Sequence, residues 1–338
     1  MGVRGIVWLA VLSLAGAGSL WAQEPQVDDA REALSKKADD ADSAKALEEV
    51  FQAAEKSYTL LKKGERTLTY GFDYSLSRDT MIQTVRANND PQNPVYSVVG
   101  QNEAQHTFTN SFTFDYGVWD NLTFSVRLPL IAKYDTERDL DVYSLGDIST
   151  SLRWQPWNSH RGRPVTTFYA NLGLPTGESP YDINLSEDLS TGNGYYSLGV
   201  GANLSYVIDP VVLFGSLGYT YNMSVRDIDQ VRGARLLEKV EPGSSFSMSM
   251  GFAYALSYDV SLAASYQMSH SLKPEFEFAD VTLEGTEQTS AVMNFSLGLR
   301  TSPERIVNVN AGFGLTEDSP DVLLGISMPL DIKGLKAR

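Results

Sequence analysis

The chain has 338 residues, 42% of them hydrophobic and 20% charged, with a formal net charge of −15 and no cysteine. That acidity argues against nucleic acid as the main partner, and the missing thiols exclude disulfide staples and thiolate zinc sites. The mean hydropathy is −0.20, and no internal run approaches the ~18 consecutive apolar residues of a membrane helix, so the pattern of apolar residues must carry the argument.

The chain opens MGVRGIVWLAVLSLAGAGSLWA, with Arg4 ahead of an apolar core from Ile6 to Ala15 and small residues leading to Ala22. This is the layout of a secretory signal peptide: the apolar run is short and lacks a stop-transfer flank. The expected mature chain begins near Gln23 and lies outside the cytoplasm. Residues 23–64 are rich in Ala, Glu, Asp and Lys and read as helix. Leu47, Phe51, Ala54, Tyr58 and Leu61 fall on one face, which suits a helix docked on, or plugging, the rest of the protein. An oligomeric coiled coil weakened by alanine at its seam, or a disordered leader, are the other readings.

After Gly64 the period changes from helical to two. In LTYGFDYSLS, Leu68, Tyr70, Phe72, Tyr74 and Leu76 share one face, with Thr69, Gly71, Asp73, Ser75 and Ser77 on the other. The same alternation recurs along the chain: Phe108, Phe112, Phe114 and Tyr116, then Leu122, Phe124, Val126 and Leu128, then Leu198, Val200 and Leu204. It continues through Phe246, Met248, Met250 and Phe252 to a last series from Val322 to Leu330. The segment Val165–Leu174 is the least clear. The pattern predicts about twelve strands of about ten residues. Short connections at 117–121, 155–164, 208–210, 257–259 and 301–304 alternate with long ones at 78–103, 134–146, 175–194, 224–243, 271–288 and 315–320.

A soluble sandwich would turn the apolar face inward against a second sheet; a membrane barrel turns it outward to lipid and lines its lumen with the polar face. Signal peptide, turn alternation and even strand number together predict an all-β membrane protein. It is a twelve-stranded antiparallel up-and-down outer-membrane barrel over residues 65–331, with a helical N-terminal extension and a tail at 332–338. Short turns would face the periplasm and long loops the exterior. Closure is required because hydrocarbon cannot satisfy an open sheet edge. Trp119, Trp154 and Trp157 lie on the short-turn side as an expected interfacial girdle. Asp73, Asp115, Arg127, Arg153 and Arg300 are the candidate lumen-lining charges, with wall-bracing ion pairs as the alternative role. His106, His160 and His270 lie apart, without a nucleophile or metal-ligand pattern, so neither catalysis nor a metal or cofactor is expected.

Particular runs carry a resemblance. GDIS at Gly146–Ser149, LPTG at Leu174–Gly177 and DPVVLFGSLGYTYN at Asp209–Asn222, within Gln52 to Leu330, resemble outer-membrane barrel proteins labelled for the MetA pathway of phenol degradation. That family includes the functional-amyloid secretion barrel FapF. The resemblance implies a twelve-stranded transporter with a helical leader; in the amyloid-secretion branch it implies a plug, a trimerising coiled coil and export of polypeptide. The expected function is a channel passing a polypeptide or solute through a polar lumen, gated by the N-terminal helix. Uptake of small apolar or aromatic compounds, or a largely structural barrel, are the alternatives. Expected partners are outer-membrane lipid, the barrel insertion machinery and a cargo, with a homotrimer as the assembly a coiled-coil leader would give.

Overall fold

The computed structural model describes residues 60–86, 96–157, 163–184, 187–208, 210–232, 235–257, 259–302 and 305–330, with side chains described outside 79–103. The expected signal peptide, the expected tail at 332–338 and four of the leader positions, Leu47, Phe51, Ala54 and Tyr58, lie outside them.

Among the described residues the chain forms seventeen strands. They are β1 (Arg66–Arg86), β2 (Tyr96–Trp119), β3 (Leu122–Asp135), β4 (Leu140–Leu145), β5 (Ile148–Trp154), β6 (Val165–Leu174), β7 (Ser197–Ile208), β8 (Val211–Asn222) and β9 (Val225–Arg232). There follow β10 (Arg235–Glu241), β11 (Ser245–Ala255), β12 (Val260–Ser271), β13 (Glu275–Phe278), β14 (Thr282–Glu284), β15 (Gln288–Ser302), β16 (Arg305–Gly314) and β17 (Val322–Leu330). Twelve of them close into one antiparallel barrel: β1 pairs with β17 and β2, β2 with β3, and the ring continues through β5, β6, β7, β8, β11, β12, β15 and β16. Closure leaves no unpaired edge around the wall, which is what a spanning sheet requires.

The burial pattern is that of a soluble fold turned inside out. The outward phase of the strands exposes large apolar side chains: Leu217 at 64%, Phe246 at 52% and Phe313 at 51%. The inward phase buries Thr69, Ser111, Thr123, Ser125, Asn203, Ser205 and Ser265. A continuous apolar band of this extent is not left to water by a soluble monomer; in hydrocarbon it is at home, and the small polar residues line the interior.

Three parts of the expected loop map change, the smallest being β4, which folds back on β3 within the expected 134–146 connection. The first long loop is a ribbon: β1 and β2 remain paired from Ser77↔Gln105 out to Arg86↔Tyr96, beyond the points where β17 and β3 accompany them. Third, β9, β10, β13 and β14, from two different long loops, form a separate four-stranded sheet. Ile228, Leu237 and Val240 are its buried core, with Tyr181, Val225, Phe276 and Phe278 packed around them. Charged residues interleave along these strands and the pairing of β10 with β13 spans some forty residues, so local pattern gives it away poorly.

Leu61 departs from the expected helix. Residues 60–62 have no regular structure, and the chain turns at Gly64, whose φ of 84° suits a residue without a side chain. Leu61 is therefore not helical, because here the backbone spends its hydrogen bonds on the barrel. Leu61 N donates to Thr123 Oγ1 at 2.8 Å, Lys63 N to Asp120 Oδ1 at 3.0 Å and Gly64 N to the Gly117 carbonyl at 2.8 Å.

Candidate luminal site

The inward charges divide into a brace and a freer pair. Arg153 on β5 donates from Nη2 to Asp115 Oδ1 on β2 at 2.6 Å and to Ser125 Oγ on β3 at 2.9 Å. Ser125 Oγ also donates to Asp115 Oδ1, and Thr67 Oγ1 on β1 donates to Asp115 Oδ2 at 3.3 Å. Both charged side chains are nearly buried, at 11% and 12% exposure. Four adjacent strands are thus cross-linked by one charge-assisted network. Arg127 and Asp73, by contrast, stand 3.7 Å apart with about half of each side chain exposed to the lumen. Arg300 is on the inward phase of β15, half-buried near its short-turn end.

The inner wall also carries aromatic and aliphatic residues that the alternation did not reveal. On β8, Val212 and Phe214 face inward and are buried, and with Ala253 of β11 and Ala263 of β12 they form an apolar cluster inside the barrel. Phe214 lies against Gly251: a Cβ there would stand 2.7 Å from its Cζ. On β6, Tyr169 lies across Gly201 and Gly218 and hydrogen-bonds Ser247 on β11. These glycines therefore seat ring side chains rather than simply widening the pore. Two pieces of sequence hid this. VVLF in β8 is apolar at four successive positions, so its phase is mute, and TTFYANLGL in β6 mixes both types on each face.

A cavity of about 390 Å³ opens beside the cluster, bounded by Phe214, Gln267, Asn294, Asn308, Asn310 and Asp73. A second, of about 320 Å³, adjoins it through Gln267; its lining includes Ser216, Ser247, Ser249 and Ser269 with Asn203, Met248 and Met268.

At the long-loop end, two of the distinctive sequence pieces meet. Asp147 of GDIS accepts from Gly177 N of LPTG at 3.0 Å and from Asn193 N at 2.7 Å. Thr176 Oγ1 donates to the Gly146 carbonyl at 2.8 Å and accepts from Ile148 N at 2.9 Å. Thr191 Oγ1 donates to the Leu145 carbonyl at 2.8 Å. Gly177 passes so close to Gly192 that a Cβ on it would stand 2.7 Å from the Gly192 Cα. These motifs latch the 175–194 loop to the rim. Gln230 and Arg232 of β9 donate in turn to the Pro180 carbonyl at 3.3 and 3.1 Å, and burial raises the Tyr181 hydroxyl above its ordinary pKa.

At the short-turn end Trp119, Trp154 and Trp157 are all exposed. Phe168 lies between the last two, with ring centroids 6.3 Å and 6.1 Å away. The chain at Leu61–Glu65 runs along the inside of this rim, since Thr123 and Gly117 are inward-facing.

Residues 87–330 match the family described as "MetA-pathway of phenol degradation". The chain belongs to this family. The match does not single out the amyloid-secretion branch. Among solved structures, the family member resembles an outer membrane channel from Pseudomonas putida F1 with a TM-score of 0.56 at 15% identity, over 80% of this chain and 97% of that one. At that identity the likeness establishes the fold, a closed β-barrel; the closed wall with its outward apolar band places the protein in the outer membrane. The translocator domain of the autotransporter NalP from Neisseria meningitidis (TM-score 0.46, 9% identity, 89% of this chain and 98% of that one) is more distant. So is the CymD monoaromatic hydrocarbon channel (TM-score 0.41, 9% identity, 82% and 90%). Their scores are too low to bear on function.

Proposed function

We propose that this protein is a passive outer-membrane channel for small solutes with an apolar or aromatic body. The observation that carries this reading is a solute-sized cavity on the luminal wall whose lining includes the apolar side chains of Phe214, Ala263 and Leu323. A purely serine- and glycine-lined pore, as the alternation suggests, offers such a body nothing to displace water from. The family description points the same way. Passage of a polypeptide, the first expectation, has no comparable support in the lumen. The membrane's outer leaflet, not the phospholipid layer, is the barrier such solutes face, so intact cells are the right test. Expression of the protein should raise initial uptake of radiolabelled phenol at low concentration; equal uptake with and without it refutes the reading.

Gating by the leader is a second reading, favoured by one observation. Leu61–Glu65 is hydrogen-bonded to the inside of the short-turn rim, so the preceding chain starts its course at that mouth. Deleting residues 23–59 should raise single-channel conductance; unchanged conductance removes the gate and leaves the leader for docking or a homotrimer. Trp119, Trp154 and Trp157 serve in this scheme as the short-turn girdle, tested by quenching with lipids spin-labelled near the headgroup.

A further inference from the structure

We infer that the cavity beside Phe214 is a solute-binding subsite selective for neutral single-ring aromatics bearing a hydroxyl or amino hydrogen-bond donor, over aromatic carboxylates. This deepens the channel reading and rests on it.

The pairing register puts two complementary surfaces in one hydrogen-bonding row. Phe214 is opposite Gly251, Gly251 opposite Ser265, Ser265 opposite Asn294 and Asn294 opposite Gly312. Phe214 and Asn294 are thus three strand spacings apart, about 14 Å along the wall. Phe214 leans over Gly251, which brings its ring toward the middle of that span. The remaining gap and the cavity of about 390 Å³ suit a ring with its substituents.

The far side is a polar edge over a glycine floor, with acceptors at Asp73 Oδ1 and Asn294 Oδ1 and a donor at Asn310 Nδ2. Asp73 Oδ1 stands 2.7 Å and Asn310 Nδ2 3.5 Å from where a Gly325 Cβ would be. Asn294 Oδ1 overhangs Gly312 in the same way. With no side chain at Gly325 or Gly312, these three polar groups converge on open space instead of on a methyl group. Asn308 on the same wall is only 6% exposed, and its Oδ1 accepts no hydrogen bond among the described residues. A buried acceptor without a donor is costly, and a ligand donor supplied on this side relieves that cost directly or by drawing the amide row together.

Charge sets the second selection rule. Asp73 is the acidic residue on the cavity wall, and among the described residues neither lysine nor arginine lines it. Arg127 reaches Asp73 from outside the lining at 3.7 Å, which moderates the field without offering a cation to the occupant. A benzoate-like anion would bring its carboxylate to a carboxylate; a phenol or aniline brings a donor.

The test is block of ion current by solutes in planar bilayers holding the mature protein, with protein-free bilayers as control. Phenol, toluene and benzoate, matched in ring size, are compared at pH 7. Phenol should block at a concentration several-fold below toluene and about tenfold below benzoate, the factor that one lost hydrogen bond or one like-charge contact produces. Asn294→Leu should weaken phenol block about fivefold, and Asp73→Asn should strengthen benzoate block; both variants are checked for folding by heat-modifiable gel migration. The wild-type series decides the matter even where a variant misfolds. Equal block by the three solutes, or phenol block untouched in a folded Asn294→Leu, overturns the subsite. If phenol fails to block although cells take it up through the protein, the subsite falls and the channel stands; if uptake fails as well, both fall.

Discussion

Arg153→Met tests whether the buried ion pair is a brace or a selectivity device. The substitution leaves the Asp115 carboxylate nearly buried, with Ser125 and Thr67 still donating to it. Removing one member of a buried pair typically costs about 3–5 kcal/mol. Because two hydroxyl donors survive, the lower end, about 3 kcal/mol, is expected here. The double variant Asp115→Leu with Arg153→Met removes both charges, so its cost should fall short of the sum of the singles by at least about 1 kcal/mol. Urea unfolding in lipid vesicles, followed by fluorescence of the nearby Trp154, measures all four species. Ion selectivity should stay where it was, since neither group faces the lumen freely. The bracing argument fails if Arg153→Met unfolds within about 0.5 kcal/mol of the parent and the reversal potential moves instead.

The Arg127–Asp73 pair should behave in the opposite way. Half-exposed in the lumen, it is worth less than about 1 kcal/mol, so Arg127→Glu should shift the reversal potential toward cations with little loss of stability; an unchanged potential refutes its lining role. Gly218→Val places a side chain where the Tyr169 hydroxyl sits; it should cost about 1–3 kcal/mol, and adding Tyr169→Ala should recover part of it in the same unfolding assay. Asp147→Ala removes the acceptor of two backbone N–H groups, so limited proteolysis should cut the 175–194 loop much faster while the barrel stays intact; an equal cutting rate refutes the latch. In the four-stranded sheet, the Lys239 hydrogen bond and charge hold the Glu241 carboxyl below its usual range. A depressed carboxyl stabilises above its unfolded pKa and loses that contribution as pH falls through its folded value. Hydrogen-exchange protection at Arg235–Glu241 should therefore weaken below about pH 4 relative to pH 7, and constant protection would dissociate the ion pair from the sheet's stability.

The barrel itself was legible because lipid imposes a strict rule on one face of every strand. Leu68 to Leu76 alternates so cleanly that a one-residue slip would turn five apolar side chains from lipid to the lumen. The extramembrane sheet was not legible, since its core of Ile228, Leu237 and Val240 closes only when two loops meet; each loop alone reads as polar. Leu61 shows the complementary limit. Its segment has helical composition, yet Thr123, Asp120 and Gly117 compete successfully for its backbone hydrogen bonds, a tertiary override of local propensity.

The lumen obeys no equally strict rule, and that is why function was harder to read than fold. Lipid accepts only apolar side chains on the outer face, but the inner face accepts serine, asparagine, glycine, a buried ion pair or a phenyl ring, provided the volumes fit. Phe214 fits because Gly251 is opposite, and Tyr169 because Gly201 and Gly218 are. A luminal glycine thus has two meanings, open pore or seat for a ring, and only the neighbouring strand's inward residue decides which. Judged one strand at a time, the inward face suggested a polar lumen. Judged in register, it is a wall with an aromatic surface on one side of a cavity and a row of amides on the other. The motifs do not substitute for that register: GDIS and LPTG, by which the chain resembles its family, hold the mouth through Asp147 and Thr176, while Asn294 and Asn310, which would meet a solute, stand outside all three distinctive motifs.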